Sequence, residues 1–139
     1  LPPDRPVAAP DNLAPGTVLG TLAFGFHADK AGPYLADVRE RHPLYATDGL
    51  AHPGWILRHA NYVLAENVRL GPWIHTASTV RFHAAVPDGA AIECRARVAD
   101  EYERSGHRFV DLDVQFLADG RLAVAVDHTA IYRPRQSAE

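Results

Sequence analysis

Cysteine and lysine are almost missing from this 139-residue sequence: Cys94 is the only cysteine and Lys30 the only lysine. A single thiol can neither close an intrachain disulfide nor supply a cysteine-rich metal site, and a reducing compartment is the simplest expectation. Positive charge is not in excess either. The formal net charge is −3, which argues against a surface built to bind nucleic acid. No apolar run approaches the length of a membrane span, and residues 1–15 lack the charged and apolar regions of a signal peptide. The expectation is a cytoplasmic protein without membrane contact. The eight histidines are scattered and show no zinc-ligand spacing, so no metal is expected.

What is present reads as one globular domain. Hydrophobic residues make up 47% and charged residues 22% of the chain, an ordinary balance for a single core of this size. Residues 1–16 carry Pro2, Pro3, Pro6, Pro10 and Pro15. Prolines remove backbone donors and suggest an extended arm, able to lie across a partner, rather than a packed element. A strand signal runs from Val18 to about Phe26, followed by a short helical pattern from Ala31 to about Arg41 that Pro43 ends.

The main helix is expected from His52 to Asn67. Pro53 suits a first helical position, and Ile56, Ala60, Val63 and Leu64 recur at helical spacing. Trp55, Leu57 and Tyr62 widen the apolar surface, as in a helix that its domain surrounds. Four stretches with period-two alternation follow, at about 74–84, 92–102, 108–117 and 122–132, separated by turn signals such as Asp119-Gly120. Inward positions include Ile92, Cys94, Ala96 and Val98, then Val110, Leu112, Val114 and Phe116, then Leu122, Val124, Val126, His128 and Ala130. One strand, a buried helix and a run of antiparallel strands define an α+β order, a single hotdog domain over 17–135 with its sheet wrapped around a central helix. Residues 136–139 are a tail. The open edge of such a sheet leads us to expect a dimer.

Several segments carry a resemblance to a known family. Glu40-Arg41-His42-Pro43-Leu44-Tyr45 is similar to a loop written D-x-N-P-x-H, and Leu50-Ala51-His52-Pro53-Gly54 is similar to a segment I-A-H-G-M that opens a central helix. Val80-Arg81-Phe82 and Val86-Pro87-Asp88-Gly89 match the strand and turn beyond it. After the arm, the chain resembles the MaoC-like hydratases and dehydratases over roughly its whole length. The resemblance implies an acyl-CoA or acyl-carrier-protein thioester substrate of fatty acid or polyketide metabolism. Water would be added or removed at an enoyl or 3-hydroxyacyl group. No cofactor is implied beyond the CoA or phosphopantetheine of the substrate itself.

The family's catalytic Asp and His fall on Glu40 and Tyr45. Tyr45 is a poor base at neutral pH but could donate as an acid. Sliding the loop forward makes Asp48 and His52 the pair, one residue short in spacing, and this is the preferred catalytic assignment, with Tyr45 beside them. The alternative is that Asp48 caps a turn and His52 the helix. Backbone N–H groups near Gly54 are expected to face a thioester oxygen, with Gly54 allowing close approach and Trp55 beside it. His59 stands where β-hydroxyacyl-carrier-protein dehydratases have a Glu, and Asn61 where hotdog thioesterases have Asp or Glu. With His75, both are assigned to substrate binding, or else are satisfied core groups. His107 is expected at a hairpin end, and Arg95, Arg97, Arg104 and Arg108 either form an anion site or a solvated face.

Two other functions remain open. One is a hotdog thioesterase, which Asn61 weakens because an amide is no base. The other is a non-catalytic subunit that shapes the acyl pocket for a second hotdog chain. It is motivated by Glu40 and Tyr45, and by the ending from Asp127 to Arg133, which is similar to that of degenerate halves in double-hotdog members. The partner is accordingly a second copy, or a different hotdog chain in a heterodimer.

Overall fold

The computed structural model describes residues 1–137, so Ala138 and Glu139 of the expected tail lie outside it. The elements are β1 (Leu22–Gly25), a 3-10 turn (Ala28–Lys30), α1 (Gly32–Asp37), α2 (Pro43–Ala46) and α3 (Pro53–Asn67). Then come β2 (Ile74–Phe82), β3 (Ala91–Arg104), β4 (His107–Ala118) and β5 (Arg121–Arg133). The strands form one five-stranded sheet in the order β1-β3-β4-β5-β2, antiparallel throughout. Helix α3 packs on β3 and β5 at its centre.

Period-two alternation produces the core. Ile92, Cys94, Ala96 and Val98 of β3, Val110, Leu112, Val114 and Phe116 of β4, and Val124, Val126, His128 and Ala130 of β5 are all buried. They meet Ile56, His59, Ala60, Val63 and Leu64 of α3. Leu122 departs from expectation and stays exposed, because the β4–β5 register shifts between Phe116 and Leu117. The Cys94 thiol lies against the His59 carbonyl, and burial pushes its pKa up to about 12, which leaves it unreactive.

Two expectations are corrected. The first strand is shorter than its sequence signal. Asn67, at the end of α3, accepts from the Gly20 N–H and donates to the Gly20 carbonyl, so a side chain takes the place of a strand neighbour there. The proline-rich arm, expected to be extended rather than a packed element, packs on the domain. Leu13 is fully buried, Val7 bridges Arg69, and the Arg5 guanidinium donates to the Ala65 carbonyl. Proline withholds donors but not apolar surface, and Ala8 and Leu13 join the core.

Strand β2 is the long open edge, bonded only to β5, with Ile74 and Phe82 half exposed. A bulge between His75 and Ala77 breaks its alternation, so that His75 stands opposite Ala130 and Ser78 opposite His128. No helix of the described residues is long and apolar enough to cross a membrane.

Candidate active site

Three short chain reversals deliver the site. Helix α1 ends with Arg39 in the left-handed region at φ 56°, and the Glu40 N–H returns to the Leu35 carbonyl, a Schellman closure. It sets Glu40 at the head of the loop. The next two helices begin alike, with a histidine at the cap and a proline at the first helical position. His42 Nδ1 accepts from the Leu44 N–H at 3.1 Å, and His52 Nδ1 from the Gly54 N–H at 3.0 Å. An imidazole thus does what a Ser or Asp usually does at a helix start.

This cap fixes the chemistry of His52. With Nδ1 accepting, the neutral ring carries its proton on Nε2, which points at Glu40 Oε2 at 3.3 Å. Glu40 Oε1 in turn accepts from the His42 N–H at 2.8 Å. That backbone donor first, and the His52 ring after burial's opposing push, hold the Glu40 carboxyl below its usual range. Glu40 is therefore an ionised acceptor at neutral pH, and both nitrogens of the His52 ring are engaged.

Around this pair stand two tyrosines. The Tyr45 ring is 4.8 Å and the Tyr34 ring 5.6 Å from that of His52. The Tyr45 hydroxyl makes no hydrogen bond among the described residues. Tyr34 lays its hydroxyl against Gly54, where any Cβ would collide with it. The space that the sequence reserved for a ligand over Gly54 is thus filled by the protein, and the Gly54 N–H is spent on His52. The next donor, the Trp55 N–H, has no partner among the described residues. Arg58, one turn on, sits over the rings of Tyr34, Trp55 and Tyr62 at 5.3–5.9 Å, and its buried Nε is unpaired. Burial raises the Tyr34 pKa, with Arg58 opposing.

Beyond Tyr45 lies an apolar cavity of about 250 Å³, lined by Leu44, Tyr45, Ile56, Phe82 and Val86 among others. Of the group around His52, Tyr45 lines this recess, together with Pro53 at the start of α3.

The expected site residues divide. His52, Tyr45, Gly54 and Trp55 come together here. Asp48 does not: its side chain is exposed and makes no hydrogen bond among the described residues. Glu40 takes its place beside His52, twelve residues back. His59 is a core residue, stacked on Phe24 at 3.9 Å with Nδ1 donating to the Trp55 carbonyl, and burial lowers its pKa. Asn61 and His75 belong to a separate group drawn from α3, β2 and β5. Tyr34 and Arg58 carried no motif and escaped the sequence reading. An arginine six residues past His52 on an apolar helix was the only available signal.

The arginines read as a possible anion site mostly have partners. Arg95 pairs with Glu93, Arg97 with Asp113, and Arg108 with Glu101. His107 opens β4 after the Ser105-Gly106 turn, with Nδ1 accepting from the Arg135 N–H. No cluster of three or more metal-ligating side chains occurs among the described residues.

No protein-family model matches the sequence, and no curated protein does. Solved structures match over most of the chain. A MaoC-like dehydratase from Rhodospirillum rubrum aligns with a TM-score of 0.72 at 11% identity, covering 91% of this chain and 97% of that one. The (R)-hydratase from A. caviae involved in PHA biosynthesis aligns at 0.70 and 16% identity, covering 83% and 93%. The C-terminally truncated 3R-hydroxyacyl-ACP dehydratase complex HadBC from Mycobacterium tuberculosis aligns at 0.72 and 19% identity, covering 84% and 95%. The chain has the hotdog fold of the MaoC-like hydratases and dehydratases.

Proposed function

We propose that the protein adds water to an enoyl thioester, or removes it from the 3-hydroxyacyl thioester, with Glu40 as the proton-transferring group. The observation that carries this is the Glu40–His52 contact at the opening of α3, beside an apolar recess. The ionised Glu40 carboxylate takes a proton from a water adding at the β-carbon and returns it to the α-carbon. Between these steps the thioester oxygen is an enolate, for which this scheme assigns the Trp55 N–H and the Tyr45 hydroxyl as donors. Dehydration is the same path reversed.

His52 is a positioning residue in this scheme. Losing the Nε2 proton while Nδ1 accepts from Gly54 would leave an imidazolate, so the ring aims Glu40 rather than moving protons itself. The family's carboxylate is kept in kind as Glu40. Its histidine is supplied from the following segment, and Tyr45 fills the vacated place. The substrate brings its own CoA or phosphopantetheine, and no other cofactor enters the scheme.

The test is loss of enoyl absorbance with crotonyl and longer thioesters. Glu40→Gln should lower turnover by about 10²–10⁴-fold. Unchanged turnover in that variant would remove Glu40 from the reaction. A second reading follows from Tyr45 at the family's histidine position and from the two-chain HadBC likeness. In it, this chain shapes the pocket of a different hotdog chain. A purified protein that is inactive alone, and active only with such a partner, would favour it over the first.

A further inference from the structure

Away from Glu40 and His52, four polar side chains from three elements form a single hydrogen-bonded row. His75 Nε2 lies 2.8 Å from Ser78 Oγ, Ser78 Oγ 2.8 Å from His128 Nδ1, and His128 Nε2 2.8 Å from Asn61 Oδ1. Asn61 comes from α3, His128 from the buried face of β5, and Ser78 and His75 from β2. Regular alternation would send residues 75 and 78 to opposite faces of a strand. The bulge between His75 and Ala77 brings them to the same face, with the His75 ring stacked on His128 at 4.1 Å. A strand irregularity that gathers polar side chains is a common way to build a site.

The proton order along the row follows from its end. Asn61 Oδ1 can only accept, so His128 carries its proton on Nε2 and offers the Nδ1 lone pair. Ser78 then donates its hydroxyl proton to Nδ1, and Oγ accepts from the His75 Nε2–H, which also lies 3.2 Å from the Ala77 carbonyl. Burial, with some help from neighbouring His75, pulls the His128 pKa down to about 4, so this ring is neutral and able to accept a proton at neutral pH. A hydroxyl bonded to a neutral imidazole that a third group orients is the arrangement of an activated nucleophile, and asparagine serves as the orienting group in some cysteine proteases.

We infer that Ser78 is a nucleophile that accepts an acyl group from an ester or thioester, with His128 as its base, Asn61 as the residue that positions the base, and His75 as a neighbouring donor. In acylation, a bond forms between Ser78 Oγ and the carbonyl carbon, and the Oγ proton passes to His128 Nδ1. The carbon–sulfur or carbon–oxygen bond then breaks, and the departing thiolate or alkoxide takes that proton. Water subsequently attacks the seryl ester with His128 again accepting a proton. The acid leaves, and the proton returns to Ser78. The His75 Nε2–H, already directed at Oγ, is placed to donate to the oxygen of the tetrahedral adduct. His75 is exposed and Ser78 half buried, so the row is reached from solvent at the His75 end. The weak basicity of His128 implies slow acylation.

The test is covalent labelling of the full chain by an alkyl fluorophosphonate, read by intact mass and peptide mapping. One adduct per chain, located on Ser78 and absent from Ser78→Ala, is the expected result. Asn61→Asp gives His128 a carboxylate partner and should speed labelling at least tenfold, while His52→Asn should label at the wild-type rate. Circular dichroism confirms that each variant is folded. Absence of an adduct at Ser78 in both the wild type and Asn61→Asp would overturn the inference, as would an adduct that survives in Ser78→Ala. Because the label is read on the protein, this result is separate from any turnover at Glu40.

Discussion

His52 holds a helix start with one ring nitrogen and a carboxylate with the other, and the two duties can be separated by substitution. Asparagine is a good cap residue and can accept from the Gly54 N–H, but it cannot reach Glu40 as an Nε2–H donor does. His52→Asn should keep stability within about 1 kcal/mol of wild type while lowering hydration, read by urea unfolding and enoyl absorbance on one preparation. Equal activity would show that Glu40 needs no aiming. Since the Glu40 pKa is held down, its carboxylate should stay competent until the pH falls below the ordinary Glu range near 4.3. The acid limb of kcat/KM should therefore lie beneath that value. His128 makes a second pH prediction. Its folded pKa of about 4 lies below the ordinary histidine value of 6.5, so between these the unfolded chain binds a proton that the native one does not. Its share of stability is whole above 6.5 and is lost as pH falls toward 4, by about 3 kcal/mol at 1.36 kcal/mol per unit. Subtracting the pH profile of His128→Asn unfolding from that of wild type isolates it. At this scale the sequence was only partly legible. His52 stood out by its motif, but its partner depended on an αL turn at Arg39, which no side-chain pattern announces, and Asp48 was the nearer carboxylate along the chain.

The elements were more readable because periodicity is a property of many residues at once. Strands β3 to β5 and α3 follow from alternation and helical spacing to within a residue or two. The first strand failed where one side chain, Asn67, competes for its backbone. The start of α3 shows the same interplay: α1 lends Tyr34, and Gly54 leaves room for its hydroxyl. Gly54→Ala should collide with that hydroxyl and cost about 1–3 kcal/mol, as overpacking does. Tyr34→Phe in the same chain should restore part of it, since the hydroxyl makes the closest clash while the His52 ring, at 3.2 Å, still crowds the new methyl. Chemical denaturation of the two single variants and the double variant gives the coupling. Additive losses would mean that Tyr34 does not contact Gly54.

For the whole molecule, the unresolved business of the fold is its long edge. Strand β1 is four residues long, and β2, at nine, is bonded on one side only. An open strand of that length presents unpaired backbone groups and would invite indiscriminate pairing unless a specific neighbour covered it. Ile74 is 50% and Phe82 57% exposed at its two ends, and Phe82 also lines the recess beside Tyr45. A second copy seated along β2 would pair the edge, cover both side chains and narrow the mouth of the recess. We therefore expect a homodimer at micromolar concentration in sedimentation velocity. The double variant Ile74→Glu, Phe82→Glu, which places like charges across a two-fold interface, should shift it toward monomer while far-ultraviolet dichroism is unchanged. If the recess needs that neighbour, the same variant should raise KM for long acyl thioesters more than for crotonyl. A wild-type protein that stays monomeric at tens of micromolar, with full activity, would show that β2 is guarded by its own twist and charges rather than by a partner.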